Sequence, residues 1–380
     1  MTKNRIDIIG AGVAGLTAAL AFAQKGNEVV IREQAETLVE VGAGLQLSPN
    51  ATRILFALGL EEALAAKWHR PPVIALNSGT TLAPIAHVPA GSFALSRWGA
   101  PYGVIHRADL QSILLEAVNA NTACKLELGC RMEPQDVASL PGDLTVIADG
   151  VWSSGRTKVV DAGKPSFTGQ VAWRFLVDTE KAAPILNPAN VTAFLGPDSH
   201  LVAYPVKNGT SVNMVAITAG NAPGKDWNYA TSHENRAHLL ERFRRWHPDL
   251  RSTMASAQTM SYWPIYQLSD GRYFDGGKVA LIGDAAHAMA PFAAQGAAMA
   301  IEDAWELATA HEFGRLALLN WEKTRRIRIG KARNRAAFNR FAYHARGPFR
   351  FGRDVILSLR KAEDVAADLD WLYGWRATGL

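Results

Sequence analysis

The chain has 380 residues, 48% hydrophobic and 20% charged, with a formal net charge of +5 and two cysteines. That length allows two or three structural lobes around sizeable cores. Two cysteines are too few for a disulfide framework, and no apolar run reaches the ~18–20 residues of a membrane span. "MTKNRIDIIG" enters a strand with no basic region, signal-type apolar segment or cleavage site, so a cytoplasmic protein is expected.

The first informative stretch is "IDIIGAGVAGLTAALAFAQKGNEVVIREQ". Ile6–Ile9 reads as a short buried strand, Leu16–Gln24 as a helix ended by Gly26, and Val29–Ile31 as a second strand with Glu33 at its end. Gly10, Gly12 and Gly15 fit G-x-G-x-x-G, with Ala14 beside the last. Gly10 serves the tight turn, Gly12 the approach of a pyrophosphate, and Gly15 the packing of helix on strand, while the helix N-terminus offers amides to phosphate. A carboxylate at Glu33, 18 residues past Gly15, suits unphosphorylated ribose hydroxyls. Strand, glycines, helix and acid together predict a dinucleotide site for FAD or NAD rather than NADP.

An NAD dehydrogenase would continue into a contiguous six-strand sheet. Here "VEVGAGLQLSPNATRILFALGL" brings a glycine-rich turn and a helix instead, then a proline-rich stretch from Arg70 to Pro101, of which Arg70–Trp98 reads as a cover strand and loop. "CKLELGC" places Cys124 and Cys130 at neither zinc nor redox-pair spacing, so two unpaired thiols are expected. The strand-turn signal resumes at "LTVIADGVWSSGR" and again at "LIGDAAHAMAPFAAQG". Acids therefore follow strands at Glu33, Asp149 and Asp284. A long ligand touched by three distant segments is expected, and FAD fits it.

From Phe167 to Ile217 the text turns β-rich, with a hairpin signal at Asn208-Gly209. Strand alternation puts His200, Val202 and Tyr204 on one face, and Leu201, Ala203 and Pro205 on the other. Basic residues are dense between Lys323 and Lys361, where Asp354 is the one acid. With no stacking or groove-reading motif beside them, they read as a solvated helix face. No nucleic-acid partner, membrane partner or metal site is expected.

These motifs resemble the class A flavin monooxygenases, the aromatic hydroxylase family that includes para-hydroxybenzoate hydroxylase. The glycine fingerprint at Gly10, Asp149-Gly150 in "ADGVWSSGR" and "GDAAHAMAPFAAQGAAMAIEDA" match that family's three motifs in order. "GAGLQLSPNATRIL", "IHRADL" and "WLYGW" are similar to the salicylate hydroxylase, 3-hydroxybenzoate 6-hydroxylase and 6-hydroxynicotinate 3-monooxygenase branch. Family members often carry Gly where this chain has Ala294, and Pro where it has Ala288. The resemblance implies an α/β fold: a Rossmann-like FAD domain with an inserted antiparallel substrate sheet. Residues 1–70, 98–165 and 270–345 would form the FAD domain, 71–97 and 166–269 the substrate domain, and 346–380 a helical extension.

The implied activity is hydroxylation of a small phenolic or N-heteroaromatic substrate, with NAD(P)H as transient reductant and O2 activated as a flavin C4a-hydroperoxide. Asp284 would bond the FAD ribityl chain, Arg107 the ribityl or pyrophosphate region, and Pro291 would lie against the flavin ring. Amides around Gln295, Gly296 and Ala297 would stabilise negative charge on reduced flavin by on the order of 1 kcal/mol. "HLVAYP" matches a substrate-lining segment of the branch, with His200 as proton acceptor and Tyr204 as positioner. Arg174 pairs a substrate carboxylate or braces the sheet, and Trp173, Phe292 and Leu47 are expected as pocket walls. His287 is expected to be structural. A monomer or homodimer is expected. The competing chemistries are epoxidation or hydroxylation of an alkene, polyketide or antibiotic on the same fold, and non-enzymatic flavin binding. A disulfide reductase lacks its cysteine pair, and a halogenase lacks Trp-x-Trp-x-Ile-Pro.

Overall fold

The computed structural model describes residues 4–38, 44–221, 229–230, 233–257 and 259–380. The first strand, Arg5–Ile9, feeds a helix at Val13–Gln24 and returns to a parallel strand at Glu28–Arg32. The helix is buried from Val13 to Phe22, because it lies between the sheet and a second buried helix, Gly296–His311. An Ala- and Leu-rich sequence without a polar face suits that sandwiched position. Gly15 is essential to it: a Cβ there would sit 1.9 Å from the Gly10 carbonyl oxygen.

The parallel sheet runs in the order Val279–Leu281, Leu144–Ile147, Arg5–Ile9, Glu28–Arg32, Cys124–Glu127. Glu33, Asp149 and Asp284 all lie just past the carboxyl ends of its strands, the end at which open α/β sheets bind ligands. Both cysteines are free, and burial pushes the Cys124 thiol up to about 11. The glycine-rich turn expected around Gly42 falls on residues 39–43, outside the described residues.

An eight-stranded sheet stands across that end. Its long centre is Pro165–Asp178, Ser211–Ala219 and Ser199–Val206, antiparallel neighbours. The last two are joined through the expected Asn-Gly turn, where Lys207 and Gly209 take φ of 51° and 81°. The proline-rich stretch supplies two strands at one edge, Val73–Ser78 and Pro84–Pro89, and then a helix at Gly91–Trp98. One face of this sheet, with Leu201, Ala203, Phe175 and Met214, packs in a second core against Phe243 and Trp246. The other face, with His200, Val202 and Tyr204, turns toward the parallel sheet's ligand end.

The basic segment departs from the solvated face expected of it. It forms most of a 29-residue helix, Arg315–Tyr343, in which the Arg325 and Arg328 side chains are only 2% and 9% exposed. They point inward because Glu302 and Asp303, on the buried helix Gly296–His311, are fully buried and need counter-charges. Arg325 Nη1 and Arg328 Nε each donate to Glu302 at 2.6 Å, and Arg325 Nε donates to Asp303 at 2.7 Å. Both guanidiniums also lie over the Trp375 ring, Arg328 at 4.4 Å, which ties "WLYGW" to the core.

Candidate active site

A cavity of about 690 Å3 runs from the glycine turn after the first strand to the eight-stranded sheet. At one end Gly10 takes φ +99°, and a Cβ there would lie 2.6 Å from the Ala148 carbonyl oxygen, so the turn demands glycine. Around Gly12 nothing stands within 4 Å of where a Cβ would be, which leaves room for a phosphate at the helix N-terminus. Ala14 lines the cavity, and a Cβ at Gly283 would lie 2.9 Å from the Ala14 Cβ. Glu33 is fixed by accepting from the Ala11 N–H at 2.7 Å and the Ala35 N–H at 2.9 Å.

Midway, Arg107, Asp149 and Asp284 line the cavity together. Burial raises the Asp149 carboxyl above the usual range, against hydrogen bonds including one to Ser153, and its Oδ1 is buried with no partner. An orphaned acceptor beside a cavity is a place for a ligand hydroxyl. Arg156, from the same "DGVWSSGR" segment, donates to the carbonyls of Val151 and Ala285, both at 2.8 Å. It thereby clamps the Asp149 turn to the Asp284 turn, a role the bare motif did not disclose.

At the far end lie Pro291, Gly296, Ala297, Arg174, His200 and Tyr204. Ala294 sits in the left-handed region at φ 52°, costing roughly 1–2 kcal/mol. The Gln295 side chain turns away from the cavity, Nε2 donating to Ser48 Oγ at 3.1 Å. Behind this turn His287 Nε2 meets Asp303, which also accepts from the Gly283 N–H at 2.9 Å. Burial pushes Asp303 up, but the His287 ring and Arg325 outweigh it and hold its carboxyl low. His287 thus sits in the buried hydrogen-bond network of Asp303 and Arg325.

Two expected wall residues are elsewhere. Trp173 is on the opposite face of its strand from Arg174, packed in the second core, stacked on Tyr262 and donating to Thr218 Oγ1 at 3.1 Å. Strand alternation forbids both neighbours from reaching one cavity. Leu47 is fully buried in the main core, and its neighbours Leu45 and Gln46 line the cavity instead. Phe292 borders a second, apolar cavity of about 510 Å3, which shares Gln46, His200, Val202, Pro291 and Ala294 with the first.

His200 has a partner that the sequence did not announce. Its Nδ1 lies 2.8 Å from His344 Nε2, at the end of the long helix, with Phe292 and Tyr343 rings against it. Burial, then the neighbouring His344, holds His200 well below its ordinary 6.5. Burial and then Arg340 lower His344 to about 4, against the pull of Asp198. The Tyr204 hydroxyl donates to the Gly44 carbonyl, leaving its lone pairs to accept, and burial raises its pKa.

Acid should therefore loosen the fold. The native state keeps both rings neutral, whereas an unfolded chain protonates them below about 6.5. Stability is full above that pH and falls as pH drops; the His344 share levels off once its native ring protonates near 4, and the His200 share only once that ring does. His344 alone accounts for about 3 kcal/mol over that window. Urea midpoints between pH 7 and 4.5 should fall, and less steeply in His344→Gln; a variant with the wild-type slope would refute the assignment.

The model of the FAD binding domain family matches residues 3–311. The chain belongs to this family. It is 32% identical to a 3-amino-4-hydroxybenzoate 2-monooxygenase of Streptomyces platensis, over 99% of this chain and 97% of that one. It is also 32% identical to a 3-hydroxybenzoate 6-hydroxylase of Aquipseudomonas alcaligenes, over 98% of each. The solved substrate complex of a salicylate hydroxylase superposes with TM-score 0.80 at 23% identity, covering 98% of this chain and 96% of that one, a likeness of fold. The chain is an FAD-dependent monooxygenase. This monooxygenase's residues fit FAD: the room at Gly12 and Gly296, the orphaned Asp149 oxygen and the row of acids from Glu33 to Asp284 all open on one cavity.

Proposed function

We propose that the enzyme hydroxylates a small phenolic or hydroxylated N-heteroaromatic compound where the two cavities meet. The observation that carries this reading is the position of His200, which lines both the cavity that fits FAD and the apolar one beside Pro291. When bound, FAD accepts hydride from NAD(P)H and supplies the oxygen atom from O2. Glu33 would hold the adenosine ribose, Asp284 and Arg107 the ribityl and pyrophosphate region, and the amides of Gly296 and Ala297 the negative charge of the reduced ring.

His200 then takes the phenolic proton at Nε2, and its Nδ1 proton moves to His344 Nε2. Passing the proton on moves the charge from the fully buried His200 to the less buried His344, burial lowering the basicity of both rings. Loss of the proton enriches the ring in electrons for oxygen transfer. Tyr204 orients the substrate as an acceptor, and the walls around Pro291 and Phe292 keep water out. A cytoplasmic monomer or homodimer completes the reading, supported by the two free thiols.

Stopped-flow reduction of the flavin by NADH and NADPH, with and without hydroxybenzoates, salicylate and hydroxynicotinates, tests it. One compound should accelerate reduction many-fold and yield a product heavier by one oxygen atom. Equal reduction with every compound, with peroxide the sole product, would argue against it. The second cavity's about 510 Å3 favours one competing reading, a larger alkene or polyketide substrate, which an apolar panel in the same assay would reveal.

A further inference from the structure

The second cavity is walled by Ile74, Leu76 and Val191 from the eight-stranded sheet and by Phe338, Phe349 and Ile356 from the C-terminal helices. Three arginines reach this apolar space. Arg353 is committed to Asp354 at 2.9 and 2.6 Å and to the Ala342 carbonyl at 2.6 Å. Arg360 is committed to Asp368 at 2.6 and 3.0 Å. Arg335 differs. Among the described residues it has no carboxylate partner, its Nε is buried without a hydrogen-bond partner, and its guanidinium lies 5.8 Å from the Phe338 ring centre.

A cation in an apolar cavity is costly unless something brings it a negative charge. Among the described residues no carboxylate pairs with it, and the one that feels its charge, Asp368, is already held by Arg360. Tyr343 and Tyr373 line the same cavity, and the charge of Arg335 acts on both hydroxyls. A guanidinium fork flanked by phenols is built to receive a planar oxyanion. His200 stands on the same cavity, at its junction with the FAD cavity.

We propose that Arg335 is the receptor for the substrate's carboxylate, so that the enzyme selects aromatic acids, with the ring hydroxyl at His200 and the acid group at Arg335. This rests on the function proposed above and adds its anion-binding residue. It gives Arg335 one of the two parts expected of Arg174, which lines the FAD-side cavity and lies 5.6 Å from the Trp263 ring centre.

The test is a binding titration of the FAD-loaded enzyme, read from the flavin absorbance and independent of turnover. Each probe acid is paired with its neutral ring: 3-hydroxybenzoate and 4-hydroxybenzoate with phenol, 6-hydroxynicotinate with 2-hydroxypyridine. Wild type should bind at least one acid about 10- to 100-fold more tightly than its neutral partner. Arg335→Met should abolish that preference, with the neutral compounds and flavin spectrum unchanged, and Arg335→Lys should restore part of it. The proposal is overturned if wild type prefers no acid, or if Arg335→Met keeps the preference while Arg174→Met loses it. Failure of the hydroxylase reading is seen separately, as the absence of an oxygenated product when an acid binds well.

Discussion

Replacing His200 with asparagine is expected to slow formation of hydroxylated product by about 10²–10⁴-fold, the usual worth of a positioned general base. Asparagine preserves a hydrogen bond to the substrate hydroxyl but cannot take its proton. FAD binding should persist, since no bond in the structure ties His200 to the glycine turn or to Asp284, and NAD(P)H oxidation should continue with peroxide in place of product. His344→Gln should give a smaller loss and move the pH profile of kcat, because His344 acts on the substrate only through His200, across 2.8 Å. Product quantified by mass against NADH consumed checks this. Asparagine at position 200 with product within threefold of wild type would remove His200 from the chemistry.

Arg325→Met should cost about 3–5 kcal/mol of stability, the range for removing one partner from a buried ion pair. Arg325 is bonded to Glu302 and Asp303 at once, and burial lowers its pKa less than the two carboxylates raise it. Without it, Glu302 keeps Arg328 and the Asn50 amide at 2.6 Å, but Asp303 is left with His287 and the Gly283 N–H. Gly283 precedes Asp284, so the loss should also reach the cofactor as weaker FAD affinity. Urea unfolding and FAD titration measure both, and Arg325→Lys, which keeps the charge but not the fork, should fall between. A Met variant as stable as wild type would mean that these carboxylates are protonated or solvated, against their burial.

The strand-glycine-helix at Ile6–Gln24, the acids at Glu33, Asp149 and Asp284, and the one-sided strand with His200 and Tyr204 were legible because each is local. A tight turn requires glycine at Gly10 whatever surrounds it, and alternation along a strand is a property of the backbone. The same alternation, applied to "AWRF", could have separated Trp173 from Arg174; treating adjacent residues as one wall ignored it. Leu47 failed for a related reason, since hydrophobicity marks both core and cavity and only packing tells them apart. The basic segment misled because charge composition cannot say which arginines meet carboxylates. Arg325 and Arg328 turn inward only because Glu302 and Asp303, more than twenty residues earlier, are buried against them.

What the sequence determined by itself was the dinucleotide turn with the two parallel strands that flank its helix, set by interactions between near neighbours, and, through its three motifs, the family to which the chain belongs. The pairing of His200 with His344, the clamp of Arg156 and the uncommitted charge of Arg335 were decided by the tertiary structure. These depend on residues some 130 to 145 positions apart in chain, or on carboxylates already spent elsewhere. A hydrogen-bond partner across such a distance is fixed by how whole elements pack, and the surplus of one charge in one cavity is known only after every other ion pair has been placed.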